Sequence, residues 1–496
     1  MASNSLQHLR ALVQGGGSVD HPDSRGRTPL ARAVRRNQPE TVRVLLRELG
    51  ADPDAGADAT PLAAAVDGRP ECARELLEGG ADVNRPSDGA TPLGEAVYCA
   101  QSTALVRALL QHNADPEAVS DQTTPLTCAA RAGKTHVVRA LLEAQANPNA
   151  SSRANPHGHT PLWLAAQADH PEVVRALLAH RADPNAQARG CCLGETPVFA
   201  LATHPSANTD TLRLLLEAGA NPDTANCRGM TPLVIAAACG HTRFVRALLA
   251  GNAAPDLRAD GRTPLLAAAA GGHADAALAL LEAKADPDLA DTSGCTPLAA
   301  AVLSGSFDTV LVLLQGGAAV DAADNLGRTP LALAAQHSPA ETVLVLLEHG
   351  ASPARADHRG RTPLHDAAER GEPQMLRALY RDGADPDAPD SAEHTPLAAA
   401  ARAGKHDAVA VLVRECGADP AGLSSRVRGN ALAFAMLAHK RLGGAALPGD
   451  LVGPILRPLE RLMPDGWLSP EELARGHGAA STASLLRELR GLPPDP

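Results

Sequence analysis

The sequence predicts an all-α solenoid of about twelve to thirteen helix-turn-helix units, followed by a short helical C-terminal tail. The dipeptide Thr-Pro recurs twelve times at intervals of 31 to 36 residues, beginning at Thr28, Thr60, Thr91, Thr124, Thr160, Thr196, Thr231, Thr263, Thr296, Thr329, Thr362 and Thr395. With only four Phe, two Tyr and two Trp, the core must consist mainly of Ala, Leu and Val, which suits close helix packing. A two-helix unit of this size cannot bury its apolar face alone, so the units must stack on their neighbours.

Each unit contains residues that favour the beginning and the end of its first helix. The threonine hydroxyl can cap a helix, and proline suits the first helical position because its missing N–H would have no partner there. Leu follows in every unit except one, where the residue is Val198. A glycine nine residues after the threonine can end the first helix in a left-handed conformation, and it is present in six units, at Gly133, Gly240, Gly272, Gly305, Gly371 and Gly404. A second helix with paired leucines and an Asp- or Asn-containing turn complete the unit.

Composition excludes several classes of function. A formal net charge of -11 argues against nonspecific nucleic-acid binding. The N-terminus lacks an apolar signal core, and no apolar run is long enough to span a membrane. The nine scattered cysteines indicate a reducing compartment and not a disulfide framework. We therefore expect an intracellular protein, in the cytoplasm or alternatively the nucleus.

No constellation of residues indicates catalysis. The glycines at 15–17 are not followed by the Lys-Ser or Lys-Thr of a phosphate-binding loop. Cys191 and Cys192 are adjacent, with His157 and His159 nearby, but no Cys-x-x-Cys pair or His-x-x-x-His set supports a zinc site. We predict a non-catalytic protein that needs no cofactor or metal.

The unit at 360–383 identifies a family. Its Thr362-Pro-Leu-His365-Asp-Ala367 matches the Thr-Pro-Leu-His-x-Ala signature, and with the 33-residue period it resembles the ankyrin repeat family over about residues 5 to 420. The resemblance implies helix pairs joined by hairpin-like finger loops and stacked into a curved solenoid. The family histidine is present only at His365. Trp163 and Phe199 stand at its place in two other units, either as core fillers or as part of a pocket.

The units between Thr124 and Thr231 are longer than the rest. Extra residues fall at 151–158, at 188–194 and around 204–208. Such insertions either mark a binding region or are neutral loop drift, since surface insertions cost little stability. The domain boundaries we expect are a capping half-repeat at 1–27, the repeat array at 28–429, a degenerate capping repeat at 430–446 and a separate segment at 447–496.

The segment from Leu447 resembles the opening of an F-box, with Leu-Pro followed by apolar residues spaced for one helical face. The whole layout resembles poxvirus ankyrin proteins, whose C-terminal F-box-like segment recruits the Skp adaptor of a cullin ubiquitin ligase. That resemblance implies adaptor contacts from Leu447, Pro448, Leu451, Ile455, Leu456 and Leu459. Pro454 and Pro458 depart from the pattern because interior prolines break helices. A helical cap and another adaptor box, such as a SOCS box, are the alternatives.

The resemblance implies a protein–protein interaction adaptor. The array would bind a target protein on its concave face and fingers, and the tail would recruit the ligase; the alternative is a plain binding scaffold whose tail is only a cap. We predict target contacts from finger residues just before each Thr-Pro, namely Asp260, Arg262, Asn325, Arg328, His358, Arg359 and Arg361.

Overall fold

The computed structural model describes residues 10–11, 15, 17–56, 60–87, 89–99, 103–120, 123–150, 158–188, 194–204 and 209–419. Within these ranges 24 helices form twelve consecutive pairs, with no strand among them. The chain divides into two compact units, the first of residues 1–236 and 241–260 and the second of residues 237–240 and 261–496. The all-helical repeat architecture predicted from the Thr-Pro period is confirmed.

The first helix of each pair is six to eight residues long. These helices are α1 (Pro29–Arg35), α3 (Pro61–Val66), α5 (Pro92–Cys99), α7 (Pro125–Arg131), α9 (Pro161–Gln167), α11 (Pro197–Ala202), α13 (Pro232–Ala238), α15 (Pro264–Ala270), α17 (Pro297–Ser304), α19 (Pro330–His337), α21 (Pro363–Arg370) and α23 (Pro396–Ala403). The second helices all have nine residues. They are α2 (Pro39–Arg47), α4 (Pro70–Glu78), α6 (Thr103–Gln111), α8 (Thr135–Glu143), α10 (Pro171–Ala179), α12 (Thr209–Glu217), α14 (Thr242–Ala250), α16 (Ala274–Glu282), α18 (Phe307–Gln315), α20 (Ala340–Glu348), α22 (Pro373–Arg381) and α24 (His406–Arg414).

The repeated threonine caps every first helix, as the sequence predicts. In eleven of the twelve, its Oγ1 accepts a hydrogen bond from the backbone N–H three residues on, at 3.1–3.3 Å. The twelfth, Thr362, shares a reciprocal cap with the ring of His365. A cap of this kind stabilises a helix by about 1 kcal/mol. The twelve caps therefore fix where each first helix begins.

The six glycines predicted to end first helices all have positive φ, from 70° to 82°. At Gly305, Gly371 and Gly404 the left-handed residue directly follows the helix.

The core consists mainly of Ala, Leu and Val, as the composition predicts. The apolar residue after each Thr-Pro is buried throughout, and each second helix buries at least one leucine. Trp163 and Phe199 are 4% and 2% exposed and lie in this core.

The turn after each second helix braces the next repeat. The side-chain oxygens of Asp54, Asn185 and Asp288 accept hydrogen bonds from the backbone N–H groups of Asp82, Asn221 and Ala319, at 3.0, 2.7 and 2.8 Å. The recurring Asp and Asn residues therefore satisfy main-chain donors of the following unit.

Several predicted features lie outside the described residues. They are most of the first and second insertions, residues 205–208 of the third, the degenerate repeat at 430–446 and the whole segment 447–496, with the six tail residues predicted to contact an adaptor. The boundaries drawn around these segments stay predictions.

Candidate protein-binding surface

An acidic residue sets the geometry of each finger loop in the second unit. Asp291, Asp324, Asp357 and Asp390 each stand five residues before a Thr-Pro. In every case Oδ1 accepts two backbone N–H bonds, from the residues two and four positions on, at 2.8–2.9 Å. The carboxylate thus closes a tight hairpin and fixes the direction in which the finger tip projects.

Three of these carboxylates, those of Asp291, Asp324 and Asp390, are held in the charged form. Burial alone would raise the pKa of Asp324, but hydrogen bonds from Arg328 and Leu326 outweigh it and bring the pKa below its usual range. The pKa values of Asp291 and Asp390 are lowered in the same way, against burial, by backbone and side-chain donors of their own loops. The hairpins therefore keep their shape over the neutral pH range.

Neighbouring fingers of the second unit are joined tip to tip. The backbone N–H of Asn325 donates to the carbonyl oxygen of Ser293 at 3.0 Å, and that of His358 donates to the carbonyl oxygen of Leu326 at 2.9 Å. The next finger repeats the link, with the N–H of Ser391 donating to the carbonyl oxygen of Arg359 at 2.8 Å. Four successive tips form one hydrogen-bonded row, which we call the finger row (residues 291–295, 324–328, 357–361 and 390–394).

Three of the predicted target contacts are already engaged with other residues of the second unit. The Asn325 side-chain amide donates to the carbonyl oxygen of Thr292 at 3.0 Å. Arg328 pairs with Asp324 at 2.7 Å. Arg361 binds two carboxylates of its own repeat, Asp366 at 2.7 Å and Glu369 at 2.6 Å. These side chains hold the loops in shape, a role that spacing before Thr-Pro does not reveal.

The other four predicted contacts are exposed: Asp260, Arg262, His358 and Arg359. Asp260 ends the first unit and Arg262 lies at the start of the second. Among the described residues, no hydrogen bond or ion pair is formed by the side chains of Arg262, His358 or Arg359. Leu326 was missed by the sequence reasoning, although it is 57% exposed at a finger tip. Its position, as an apolar residue inside the otherwise polar Asn-x-Gly-Arg tip, is the sequence feature that indicates an exposed apolar side chain.

Neither a metal-binding cluster nor a membrane-spanning helix is found in the part of the chain that the structure describes. It contains no group of three His, Cys, Asp or Glu side chains placed to hold a metal ion. None of its helices combines the length and apolar character needed to cross a bilayer.

Family models agree with the repeat geometry. The model described as "Ankyrin repeats (3 copies)" matches residues 54–120, 98–188, 198–291, 283–357 and 353–422, and that described as "Ankyrin repeat" matches residues 25–58. The chain belongs to the ankyrin repeat family. Ankyrin repeats are protein-binding modules, so the finger row is a candidate surface for a protein partner. The matches end at residue 422, so the F-box-like and poxvirus-type resemblance of the tail stays a prediction.

Among solved structures, one similar to this ankyrin chain is the ankyrin repeat domain of Bcl-3, described as a unique member of the IkappaB protein family. The two are 30% identical, with 41% of this chain and 93% of that chain covered and a TM-score of 0.39. No curated protein matches the chain.

Proposed function

We propose that this chain is a non-catalytic protein-binding scaffold that holds a target protein on the finger row of its second unit. The observation that carries the proposal is the tip-to-tip hydrogen bonding, with His358 N–H to Leu326 O at 2.9 Å as its central link. Loops that are already ordered lose little conformational freedom when a partner binds, so more of the contact energy appears as affinity. In the ankyrin fold such fingers border the concave face on which we expect the target to lie.

The chemistry of the exposed tips indicates what the target carries. Leu326 offers an aliphatic anchor, with Arg359 on the next finger and Arg262 further along. A target that places an apolar side chain between carboxylates would complement this surface. Such complementarity mainly raises the association rate and the specificity, and the buried anchor supplies most of the affinity.

The test is a matched pair of charge reversals in the full-length chain. We expect Arg359→Glu to remove a set of co-purifying proteins that wild type retains, measured by quantitative mass spectrometry. Arg381→Glu, an exposed arginine on second helix α22, makes the same change in charge away from the fingers and should leave that set intact. Equal capture by wild type and both variants would reject the finger row as the target-binding surface.

A second proposal concerns the tail, and its support comes from the sequence alone. The Leu447-Pro448 start and the apolar spacing through Leu459 suggest recruitment of the Skp adaptor of a cullin ubiquitin ligase, which would make the chain a substrate adaptor. Truncating Leu447 and Ile455 to alanine should then abolish binding to purified Skp adaptor while leaving capture by the fingers unchanged. Equal adaptor binding by wild type and the double variant would leave a scaffold whose tail is only a cap.

A further inference from the structure

The fifth residue of the nine-residue second helices differs along the chain. In the seven second helices from α2 to α14 this residue is always arginine, at Arg43, Arg74, Arg107, Arg139, Arg175, Arg213 and Arg246. In the next three it is leucine, at Leu278, Leu311 and Leu344, which we call the leucine row. In α22 it is again arginine, at Arg377, and in α24 it is Ala410.

Three of these seven arginines pair with carboxylates of their own helices. Arg43 lies 3.1 Å from Glu40, Arg175 lies 3.7 Å from Glu172, and Arg213 lies 2.9 Å from Asp210. In each pair the acidic residue is the second of the helix and the arginine the fifth, so they share one face a turn apart. The exposed faces of α2, α10 and α12 are therefore mixed in charge.

The leucine row keeps the acidic residues and lacks the arginines. Helices α16, α18 and α20 carry exposed Asp275, Asp308 and Glu341 at the second position, and together they contain no lysine or arginine. Glu348 adds an exposed carboxylate at the last position of α20. Among the residues that the structure describes, no cationic side chain forms an ion pair with Asp308, Glu341 or Glu348.

The leucines themselves face outward. Leu278 is 39% exposed and Leu344 is 43% exposed, while Leu311 between them is half-buried. Helix α18 packs against α16 on one side and α20 on the other, so the three leucines lie side by side across adjacent helices. Neighbouring packed helices are about 8–10 Å apart. The row is an aliphatic strip crossing three helices, and carboxylates from the first turn of each helix run along one side of it.

We propose that the leucine row is a docking surface for a basic amphipathic helix of a partner protein. The carboxylates select positive charge, and lysines or arginines flanking a leucine stripe would supply the cations that the fifth position lacks here. The spacing also suits a helix laid along the row. Seven helical residues advance about 10.5 Å, so leucines seven residues apart on one face would meet Leu278, Leu311 and Leu344 in turn.

The site lies on the second helices and uses no finger residue. It is bounded toward the C-terminus by α22, where Arg377 is already paired with Glu415 at 2.7 Å. The proposal for the leucine row is therefore independent of the proposal for the finger row. The two surfaces allow one chain to hold two partners at once.

The test uses full-length protein and a labelled synthetic peptide of about 18 residues, alanine-based, with leucine at every seventh position and lysines flanking that stripe. We expect saturable binding by fluorescence anisotropy that weakens as salt is raised from low to high ionic strength. The triple variant Leu278→Arg, Leu311→Arg, Leu344→Arg introduces the residue that occupies this position in eight of the nine other second helices, so the fold accommodates it. Its affinity should fall at least tenfold with an unchanged far-ultraviolet circular dichroism spectrum.

Two controls make the outcome specific. Leu303→Arg changes an exposed leucine of the first helix α17, outside the leucine row and the finger row, and should bind the peptide as wild type does. The triple variant Asp308→Asn, Glu341→Gln, Glu348→Gln should bind more weakly and lose most of the salt dependence. Equal binding by wild type and the leucine-row variant would overturn the proposal, as would equal binding of a peptide with glutamate in place of lysine. Sedimentation showing a wild-type dimer that the leucine-row variant disrupts would also overturn it, since the occupant would then be a second copy of the chain.

Discussion

The Nε2 atom of His365 lies 3.0 Å from the backbone carbonyl oxygen of His394 in the next finger loop. A carbonyl can only accept, so Nε2 carries the proton, and Nδ1 accepts from the backbone N–H of Thr362 at 3.1 Å. The ring is fully buried and neutral, and burial lowers its pKa. One side chain thus joins the start of a helix to the base of the following finger.

This geometry predicts a pH dependence of stability. The pKa of His365 is lower in the folded chain than its ordinary value of about 6.5, so the unfolded chain binds a proton more readily at mildly acidic pH. Stability should rise with pH through this window and be lost as pH falls from about 7 to about 5, by up to about 1.4 kcal/mol per pH unit. Urea unfolding at a series of pH values measures it.

The matched variant is His365→Ala, since alanine occupies this position in many of the other repeats. It should be less stable at pH 7.5 by about 1–3 kcal/mol, because two buried hydrogen bonds are lost, and its stability should depend less steeply on pH. His337→Ala, an exposed histidine on α19, is the control and should keep the wild-type slope. An unchanged slope in His365→Ala would show that another group titrates.

Local signals in the sequence predict most of the repeat fold. The Thr-Pro caps and the six left-handed glycines depend on a few adjacent residues, and all are present where expected. The roles of Asn325, Arg328 and Arg361 were not predictable in this way. Asn325 bonds to Thr292 in the preceding finger, whereas Arg328 and Arg361 pair with carboxylates four to eight residues away, and the Thr-Pro spacing shows neither kind of partner. A residue's place before Thr-Pro predicts that it lies in a finger and leaves open whether its side chain is available.

The leucine row shows a different limit. Each second helix has a plausible amphipathic pattern by itself, with leucine as acceptable as arginine at the fifth position. Only the pairing of Arg175 with Glu172 and its counterparts shows what that position does. Leucine at this position therefore leaves the carboxylates of Asp308 and Glu341 in the leucine row without a cationic partner among the described residues, which composition and periodicity do not show.

A second prediction concerns the close approach between fingers. Gly327 has a φ of +79°, and a Cβ there would lie 2.9 Å from the backbone nitrogen of His358, whose N–H bonds to the Leu326 carbonyl. Gly350 has a φ of +86° with nothing within 4 Å of the same position. Both Gly→Ala changes incur the left-handed cost of about 1–2 kcal/mol. Gly327→Ala should lose about 1–2 kcal/mol more, because the finger link must move.

Chemical unfolding of the two alanine variants side by side measures this difference directly. Amide hydrogen exchange at His358 should also quicken in Gly327→Ala and stay unchanged in Gly350→Ala. Equal stability of the two variants would mean that the finger row tolerates separation and is not ordered by these bonds.

A third prediction concerns the ion pair between α2 and α4. Glu75 is buried and accepts from Arg43 at 2.6 Å, with Arg47 at 3.8 Å from its other oxygen. The hydrogen bond from Arg43 is the main cause of the lowered pKa of Glu75. Arg43→Leu should destabilise the chain by about 1–3 kcal/mol at neutral pH, because the carboxylate stays buried without its best partner.

The double variant Arg43→Leu, Glu75→Leu removes both charges and should recover most of that loss. A thermodynamic cycle of wild type, the two single variants and the double variant gives the coupling between the two side chains. A coupling near zero would show that solvent satisfies Glu75 once Arg43 is removed.

The last prediction separates two arginines that the sequence treats alike. Arg361 is largely buried and bonded to Asp366 and Glu369, whereas the exposed Arg359 side chain has no partner among the described residues. Arg361→Ala should cost about 1–3 kcal/mol in unfolding free energy, because charged hydrogen bonds are lost around a half-buried carboxylate. Arg359→Ala should change stability by less than about 0.5 kcal/mol, as expected of a surface residue.

The same two variants should rank in the opposite order in target capture if the finger row binds the target. Under conditions in which both variants are fully folded, Arg359→Ala should weaken retention of the target more than Arg361→Ala does. A stable Arg361→Ala variant that has lost its target would instead place that guanidinium in the binding surface.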